Sequence, residues 1–95
     1  MRIEAGRFKG RRLPEARGAR PVPGRLRRSL FSVLAPRLED ARVLDLFAGV
    51  GGMGLEALSR GAAEVVLVDR DGAAVRELEG FLERVGAAGE ARAIC

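Results

Sequence analysis

The sequence has one cysteine, Cys95, in 95 residues, which rules out a disulfide framework within the chain. No apolar run approaches the roughly 18–20 residues needed to cross a bilayer. No apolar signal segment follows Met1-Arg2-Ile3-Glu4 either, so a cytoplasmic location is the default expectation. Acidic residues are scarce at one end only. Residues 1–28 carry nine Arg and Lys9 against Glu4 and Glu15, whereas residues 29–95 carry seven Arg against eleven acids. The net charge of +4 therefore conceals a strongly basic arm on a mildly acidic remainder. Such an arm points to a polyanionic partner, and arginine suits planar contacts to phosphate and base edges. With 47% hydrophobic and 32% charged residues, the composition is that of a soluble globular chain. Its length allows one small domain or part of a larger one.

What is present is organised around Val43-Leu44-Asp45-Leu46-Phe47-Ala48-Gly49-Val50-Gly51-Gly52-Met53-Gly54-Leu55-Glu56. An apolar run broken only by Asp45 passes into a loop with the spacing Gly49-x-Gly51-x-x-Gly54 and then into a helix-forming sequence. Strand, tight turn and helix entry form the first crossover of a nucleotide-binding α/β sheet. A second apolar run, residues 64–69, ends in Asp69, twenty residues beyond Gly49, where such folds place the carboxylate that accepts from ribose hydroxyls.

Before this centre, residues 2–13 form two short extended pieces around Gly6 and Gly10, read as a small β-hairpin. Residues 15–24, with Gly18, Pro21, Pro23 and Gly24, read as loop, and Arg17 and Arg20 extend the basic arm. Residues 25–35 predict an amphipathic helix with Leu26, Leu30, Phe31, Val33 and Leu34 on its apolar side, ended by Pro36. The run 43–47 does not alternate and reads as a strand buried on both faces. A helix over 54–60 closes at Gly61. Asp71 caps a helix carrying Val75, Leu78, Leu82 and Val85 that ends at Gly86, and residues 92–95 begin a third strand. In the order 3-2-1 the most apolar strand becomes an exposed edge, which natural sheets avoid. The expectation is that the 95 residues are the N-terminal portion of a longer protein; a swapped or dimeric assembly covering the edge is the alternative.

NAD and FAD sites share the glycine spacing, but Asp45 does not suit them. A carboxylate at the strand end is unwelcome beside a pyrophosphate and suits a ligand carrying an ammonium and a sulfonium, namely S-adenosylmethionine. Glycines let the backbone approach an adenosyl group closely. The candidate cofactor contacts are Asp45, Phe47, Ala48, Gly49, Gly51, Gly54, Asp69 and Arg70. Bland readings stay open beside these: Asp45 satisfying nearby backbone N–H groups, and Asp69 as a helix cap or surface acid. For the basic residues the bland reading is a solvated surface, and the sharper one is RNA contact through Arg2, Arg7, Lys9, Arg11, Arg12, Arg20 and Arg25.

The segment Asp45-Leu46-Phe47-Ala48-Gly49-Val50-Gly51-Gly52-Met53-Gly54-Leu55-Glu56-Ala57-Leu58-Ser59-Arg60-Gly61-Ala62 resembles the first motif of the RsmD family. The opening Met1-Arg2-Ile3-Glu4-Ala5-Gly6-Arg7-Phe8-Lys9-Gly10-Arg11-Arg12-Leu13 is similar to that family's N-terminal hairpin. Arg20-Pro21, Arg25-Leu26-Arg27 and Leu30-Phe31 resemble the entry to its first helix. The chain departs from the pattern at Val22-Pro23-Gly24, at Arg28, where the family has a glutamate, and at Val50, which replaces a common serine.

The resemblance implies a Rossmann-like, class I S-adenosylmethionine-dependent methyltransferase fold, α/β, of which this chain holds the first half of the parallel sheet behind an N-terminal β-hairpin. It divides the chain into a basic hairpin and arm (1–24) and the N-terminal half of the methyltransferase domain (25–95). It implies methyl transfer to the exocyclic N2 of a guanine in small-subunit (16S) ribosomal RNA, on the RNA or on the small ribosomal subunit, by an enzyme monomeric at full length. The family's Asn/Asp-Pro-Pro-Tyr/Phe motif, which accepts hydrogen bonds from the reacting amine, does not occur here, so no catalytic residue is assigned and no metal is expected. Cys95 reads as a buried strand cysteine rather than a nucleophile. The alternatives are a non-catalytic RNA-binding Rossmann-like module and an NAD-dependent oxidoreductase.

Overall fold

A computed structural model describes residues 2–14, 23–46, 48–49 and 52–95. Three parallel strands, β1 (Arg42–Leu46), β2 (Glu64–Val68) and β3 (Ala91–Ile94), lie in the order β1-β2-β3. The helices are α1 (Gly24–Leu38), α2 (Gly52–Ser59) and α3 (Gly72–Arg84). Strand order, parallel pairing and the β-α-β-α-β alternation agree with the expected half of a Rossmann-like sheet.

The sheet is covered on one face. Register pairs Asp45 with Leu67 and Leu67 with Ala93, so these side chains share the face on which α2 packs. Leu67, Ala91 and Ala93 are buried there together with Val65. The intervening residues point the other way, and Leu44 and Leu46 are 62% and 58% exposed. This corrects the expectation of a first strand buried on both faces. It is an edge strand whose second face has no layer against it, so it alternates in burial although its composition does not. Phe47, the last residue of the expected strand, lies outside the described residues.

Helix α1 departs from expectation twice. It continues past Pro36 to Leu38, because Leu38 is buried at 6% exposure and its packing holds a last turn that the missing proline N–H would otherwise loosen. Its buried residues are Arg27, Phe31 and Leu38. Of the apolar side expected to pack inward, only Phe31 does so; Leu26, Leu30, Val33 and Leu34 are 38–77% exposed. The helix thus has two stripes, and the one with fewer leucines meets the core.

The later elements follow local signals. Gly61 has φ +115° and Gly86 φ +76° after their helices, a conformation that favours glycine. Asp71 caps α3, its side chain accepting from the Ala73 N–H at 2.9 Å. Val75, Leu78, Phe81 and Leu82 are the buried stripe of α3.

The N-terminal hairpin is reduced to one antiparallel bridge, Arg2 with Arg12. Ile3 N–H donates to Arg11 C=O and Gly10 N–H to Ile3 C=O. Between these, the backbone bonds elsewhere: Glu4 and Ala5 N–H donate to the Glu56 carboxylate, Arg7 N–H to Ser59 C=O and Phe8 N–H to the Ser59 hydroxyl. Donors that a strand ladder would use are taken by α2. Ile3, Phe8 and Leu13 belong to the same core as the sheet and helices. The expected loop over 15–24 falls mostly outside the described residues, and Arg17 and Arg20 with it. Among the described residues no helix is long and apolar enough to cross a membrane.

Candidate functional site

The candidate site is assembled at the carboxyl ends of β1 and β2, where the glycine loop leaves the sheet. Val68 C=O accepts from the Ala48 N–H at 2.8 Å, continuing the sheet bonding by one residue. The chain then turns at Gly49, whose φ is +56° and where an added Cβ would meet nothing within 4 Å. Positive φ with open space is a position where backbone faces a ligand without a side chain between them.

Two carboxylates clasp this loop. The Gly49 N–H donates to Asp69 Oδ2 at 2.8 Å, and the Gly54 N–H donates to Asp45 Oδ2 at 2.9 Å. Asp69 Oδ1 accepts from the Asp71 N–H at 2.8 Å. Gly54 has a different task from Gly49. A Cβ there would come within 2.3 Å of Leu67 Cδ2 and 3.0 Å of Asp45 Oδ2, so the missing side chain is what lets α2 approach the sheet and reach Asp45 with its N–H.

The two acids differ electrostatically. Burial pushes the Asp45 carboxyl above the ordinary 3.8, the Gly54 hydrogen bond pulls against this, and the negative charge of Asp69 adds to the rise. The N–H bonds from Asp71 and Gly49 hold Asp69 below 3.8. Asp69 is therefore a committed anion, while Asp45 is a partly desolvated one that a cationic ligand would relieve. A carboxylate has about four acceptor positions. Among the described residues Asp69 uses two on backbone N–H groups and Asp45 one, leaving room for ribose hydroxyls and for an ammonium.

The structure thus brings Asp45, Gly49, Gly54 and Asp69 together, with Ala48 buried beside them. Arg70 is exposed, and its C=O lies 3.5 Å from the Cys95 sulfur. Cys95 is itself exposed, which corrects its reading as a buried strand residue: β3 ends one residue before it. Phe47 and Gly51 lie outside the described residues. Asp45 engages a backbone N–H, as its bland reading has it, whereas Asp69 accepts from the Asp71 N–H and the cap of α3 is Asp71 itself. An open depression of about 370 Å³ lies by Ala63–Val66 and Ala88–Arg92 at the opposite ends of the strands; the site is located by its chemistry instead.

Among the candidate cations, Arg2, Arg7, Lys9, Arg11, Arg12 and Arg25 are all exposed. Arg7 pairs with Glu90 and lies over the Phe8 ring, so part of its capacity is used. Lys9, Arg11, Arg12 and Arg25 have no ion pair among the described residues. Arg27 and Arg28 converge on Glu4. Sequence reasoning assigned no role to Glu56 and Ser59, 0% and 3% exposed; the signal was a charge in an otherwise apolar helix. Among the described residues no group of His, Cys, Asp or Glu could hold a metal ion.

A family model described as Conserved hypothetical protein 95 matches residues 1–95. Over 80 residues the chain is 48% identical to Ribosomal RNA small subunit methyltransferase D of Escherichia coli K12, covering 82% of this chain and 40% of that protein. The solved structure of hypothetical protein TTHA0928 from Thermus thermophilus superposes with a TM-score of 0.86 at 44% identity, over 100% of this chain and 54% of the other. The C-terminal domain of precorrin-6Y C5,15-methyltransferase from Rhodobacter capsulatus superposes with a TM-score of 0.67 at 18% identity, over 78% of this chain and 39% of the other, a likeness of fold alone. The chain spans about half the length of the relatives it matches, or less.

Proposed function

The chain belongs to the family described as Conserved hypothetical protein 95, and we propose that it supplies the S-adenosylmethionine crevice and a basic RNA-contacting segment of a ribosomal RNA methyltransferase. The methyl acceptor in this reading is the exocyclic N2 of a guanine in small-subunit (16S) ribosomal RNA, as naked RNA or within the small subunit. The full-length enzyme works as a monomer in the cytoplasm. A single observation carries the cofactor half: two carboxylates at neighbouring strand tips clasp one glycine loop that has open space at Gly49.

The donor set fits an adenosylated sulfonium. A pyrophosphate beside Asp45 would meet a negative charge, whereas an ammonium and a sulfonium are attracted by it; Asp69 suits ribose hydroxyls in either case. When bound, S-adenosylmethionine supplies an electrophilic methyl group. Asp69 accepts from the ribose hydroxyls through its remaining acceptor positions. Asp45 faces the positively charged end, and the Gly49 backbone lets the adenosyl group approach. What these residues contribute is positioning, which in favourable cases lowers a barrier by roughly 7–11 kcal/mol. The target base has to leave its stack at a cost of a few kcal/mol, and exposed cations such as Lys9, Arg11 and Arg12 hold the flanking phosphates. No Asn/Asp-Pro-Pro-aromatic sequence is present, so these 95 residues bind without turning over.

Calorimetric titration tests the cofactor reading. S-adenosylhomocysteine binds the chain and NADH does not, and Asp69→Ala weakens the former about tenfold or more by removing charge-assisted hydrogen bonds. Equal affinity in the variant would remove Asp69 from the site, and NADH binding in place of S-adenosylhomocysteine would favour the oxidoreductase.

A further inference from the structure

The buried polar pair on α2 has no part in the cofactor clasp. Glu56 is fully buried, and its carboxylate accepts from the N–H groups of Glu4 (3.0 Å) and Ala5 (3.2 Å) and from Arg60 Nε (2.8 Å). The Ser59 hydroxyl donates to Ala5 C=O (2.6 Å) and accepts from the Phe8 N–H (2.8 Å), while Ser59 C=O accepts from the Arg7 N–H (2.8 Å). Gly6 makes this approach possible: with φ +85°, a Cβ there would stand 2.0 Å from Ser59 C=O. A buried carboxylate is a poor device for stability alone, since hydrophobic replacements often do as well. It is effective at fixing register, because a shifted segment leaves the charge unpaired.

The location of this clamp is as informative as its bonds. Helix α2 begins beside the glycine loop, and the clamp is made by its last turn. From Gly54, whose N–H belongs to the clasp, to Ser59 at the end of α2 is five residues, a rise of about 7.5 Å, so the basic segment is seated toward the end of α2 away from the cofactor clasp. The Arg7–Glu90 ion pair ties the same segment to the residue before β3. A rise of about 7.5 Å corresponds to about two stacking steps of a nucleic-acid strand at about 3.4 Å each.

We infer that Glu56 and Ser59 are positioning residues for the RNA: by clamping residues 4–8 to the far end of α2 they make the basic segment a fixed platform, and the acceptor must be an RNA long enough to bridge platform and crevice. The inference rests on the RNA methyltransferase reading and adds a length requirement to it. Its partner is a folded RNA with several phosphates along one strand, as distinct from a nucleotide or a very short oligomer.

The test uses the chain as it is, with Ser59→Ala and Gly6→Ala as independent ways to release the segment. Amide hydrogen exchange at Arg7 and Phe8 reports release. Affinities are measured for a guanine-containing RNA stem-loop, a guanine dinucleotide and S-adenosylhomocysteine. The unsubstituted chain prefers the stem-loop over the dinucleotide by about tenfold or more, as expected for two linked contact regions. In both variants exchange at Arg7 and Phe8 accelerates, stem-loop affinity falls about tenfold and dinucleotide and S-adenosylhomocysteine affinities hold. A purely structural role would weaken all three ligands together, and that outcome overturns the inference. So does a released segment with undiminished stem-loop affinity, or unchanged exchange in both variants. Failure of the unsubstituted chain to bind any RNA would instead defeat the RNA reading beneath it.

Discussion

Replacing Gly54 by alanine puts the packing at the crevice under direct strain. The new methyl would sit 2.3 Å from Leu67 Cδ2, 3.0 Å from Asp45 Oδ2 and 3.3 Å from Asp45 Cβ, where carbon contacts settle near 3.5–4.0 Å. Leu67 is 0% exposed and cannot swing outward, so α2 has to withdraw by more than an ångström or Leu67 has to leave its rotamer. Overpacking of this kind costs about 1–3 kcal/mol. Alanine returns roughly 1 kcal/mol of helix propensity, leaving a net loss of up to about 2 kcal/mol. For a domain of this size that lowers Tm by up to roughly 16 °C. Withdrawal of α2 also lengthens the Gly54 bond to Asp45, so S-adenosylhomocysteine affinity falls in the same variant. Circular dichroism melts and calorimetry measure the two effects. A Gly54→Ala protein that melts and binds like the unsubstituted chain would show that α2 does not need its close approach, and the account of the clasp would fail with it.

Other substitutions probe separate parts of the argument. Gly80→Ala lies inside α3 at ordinary φ, and its methyl meets only the flexible end of Arg84 at 3.3 Å; thermal melts should show stabilisation of about 0.5–1 kcal/mol. Arg27 is buried, with Nη2 donating to Arg2 C=O at 3.0 Å while Nε and Nη1 have no hydrogen-bond partner among the described residues; because Glu4 keeps its ion pair with Arg28, Arg27→Met should be neutral or stabilising in urea titrations, and a loss of several kcal/mol would mean that the ion pair with Glu4 outweighs its desolvation. Asp45→Asn keeps an acceptor for Gly54 but removes the desolvated charge, so the fold is retained while S-adenosylmethionine affinity drops. For the unsubstituted chain that affinity should decline on acidification through the raised Asp45 pKa, beginning above 3.8, and the Asn variant should lack this step in calorimetric titrations across pH. Asp69, with its depressed pKa, contributes stability that is present above 3.8 and lost only as pH falls below it, so acid melts of Asp69→Ala should differ from those of the unsubstituted chain mainly above that window.

The parallel sheet and the loop chemistry were legible because their signals are local. An apolar run ending in an acid, glycines at fixed offsets and an acid twenty residues on are all constraints that one crossover imposes on its own sequence. Caps at Asp71, Gly61 and Gly86 were readable for the same reason. What could not be read depends on partners distant in sequence. Periodicity showed that α1 has an apolar stripe, yet the stripe that packs is the one holding Arg27, Phe31 and Leu38, a choice made by the shape of the core. The hairpin was read from Gly6 and Gly10, whose positive φ values bear out a tight turn, but a ladder did not form because Glu56 and Ser59, some fifty residues away, take its donors.

The exposed leucines of β1 show how composition and surroundings differ as evidence. Parallel strands occur in sheets covered on both faces, and near-continuous apolar sequence reflects that environment. In these 95 residues one face is open, so Leu44 and Leu46 with Ile94 remain 41–62% exposed. An apolar edge of this kind favours association with other polypeptide. The clasp is not on that face. Asp45 and Leu67 point toward α2, and Gly54 is buried against them, so the carboxylate proposed to face a cation lies on the covered side. Ligand binding and edge association are therefore separable. Sequestering the open face in a dimer leaves Asp45, Gly49 and Asp69 where they are, because the loop is fixed by hydrogen bonds to the two carboxylates rather than by packing across the sheet.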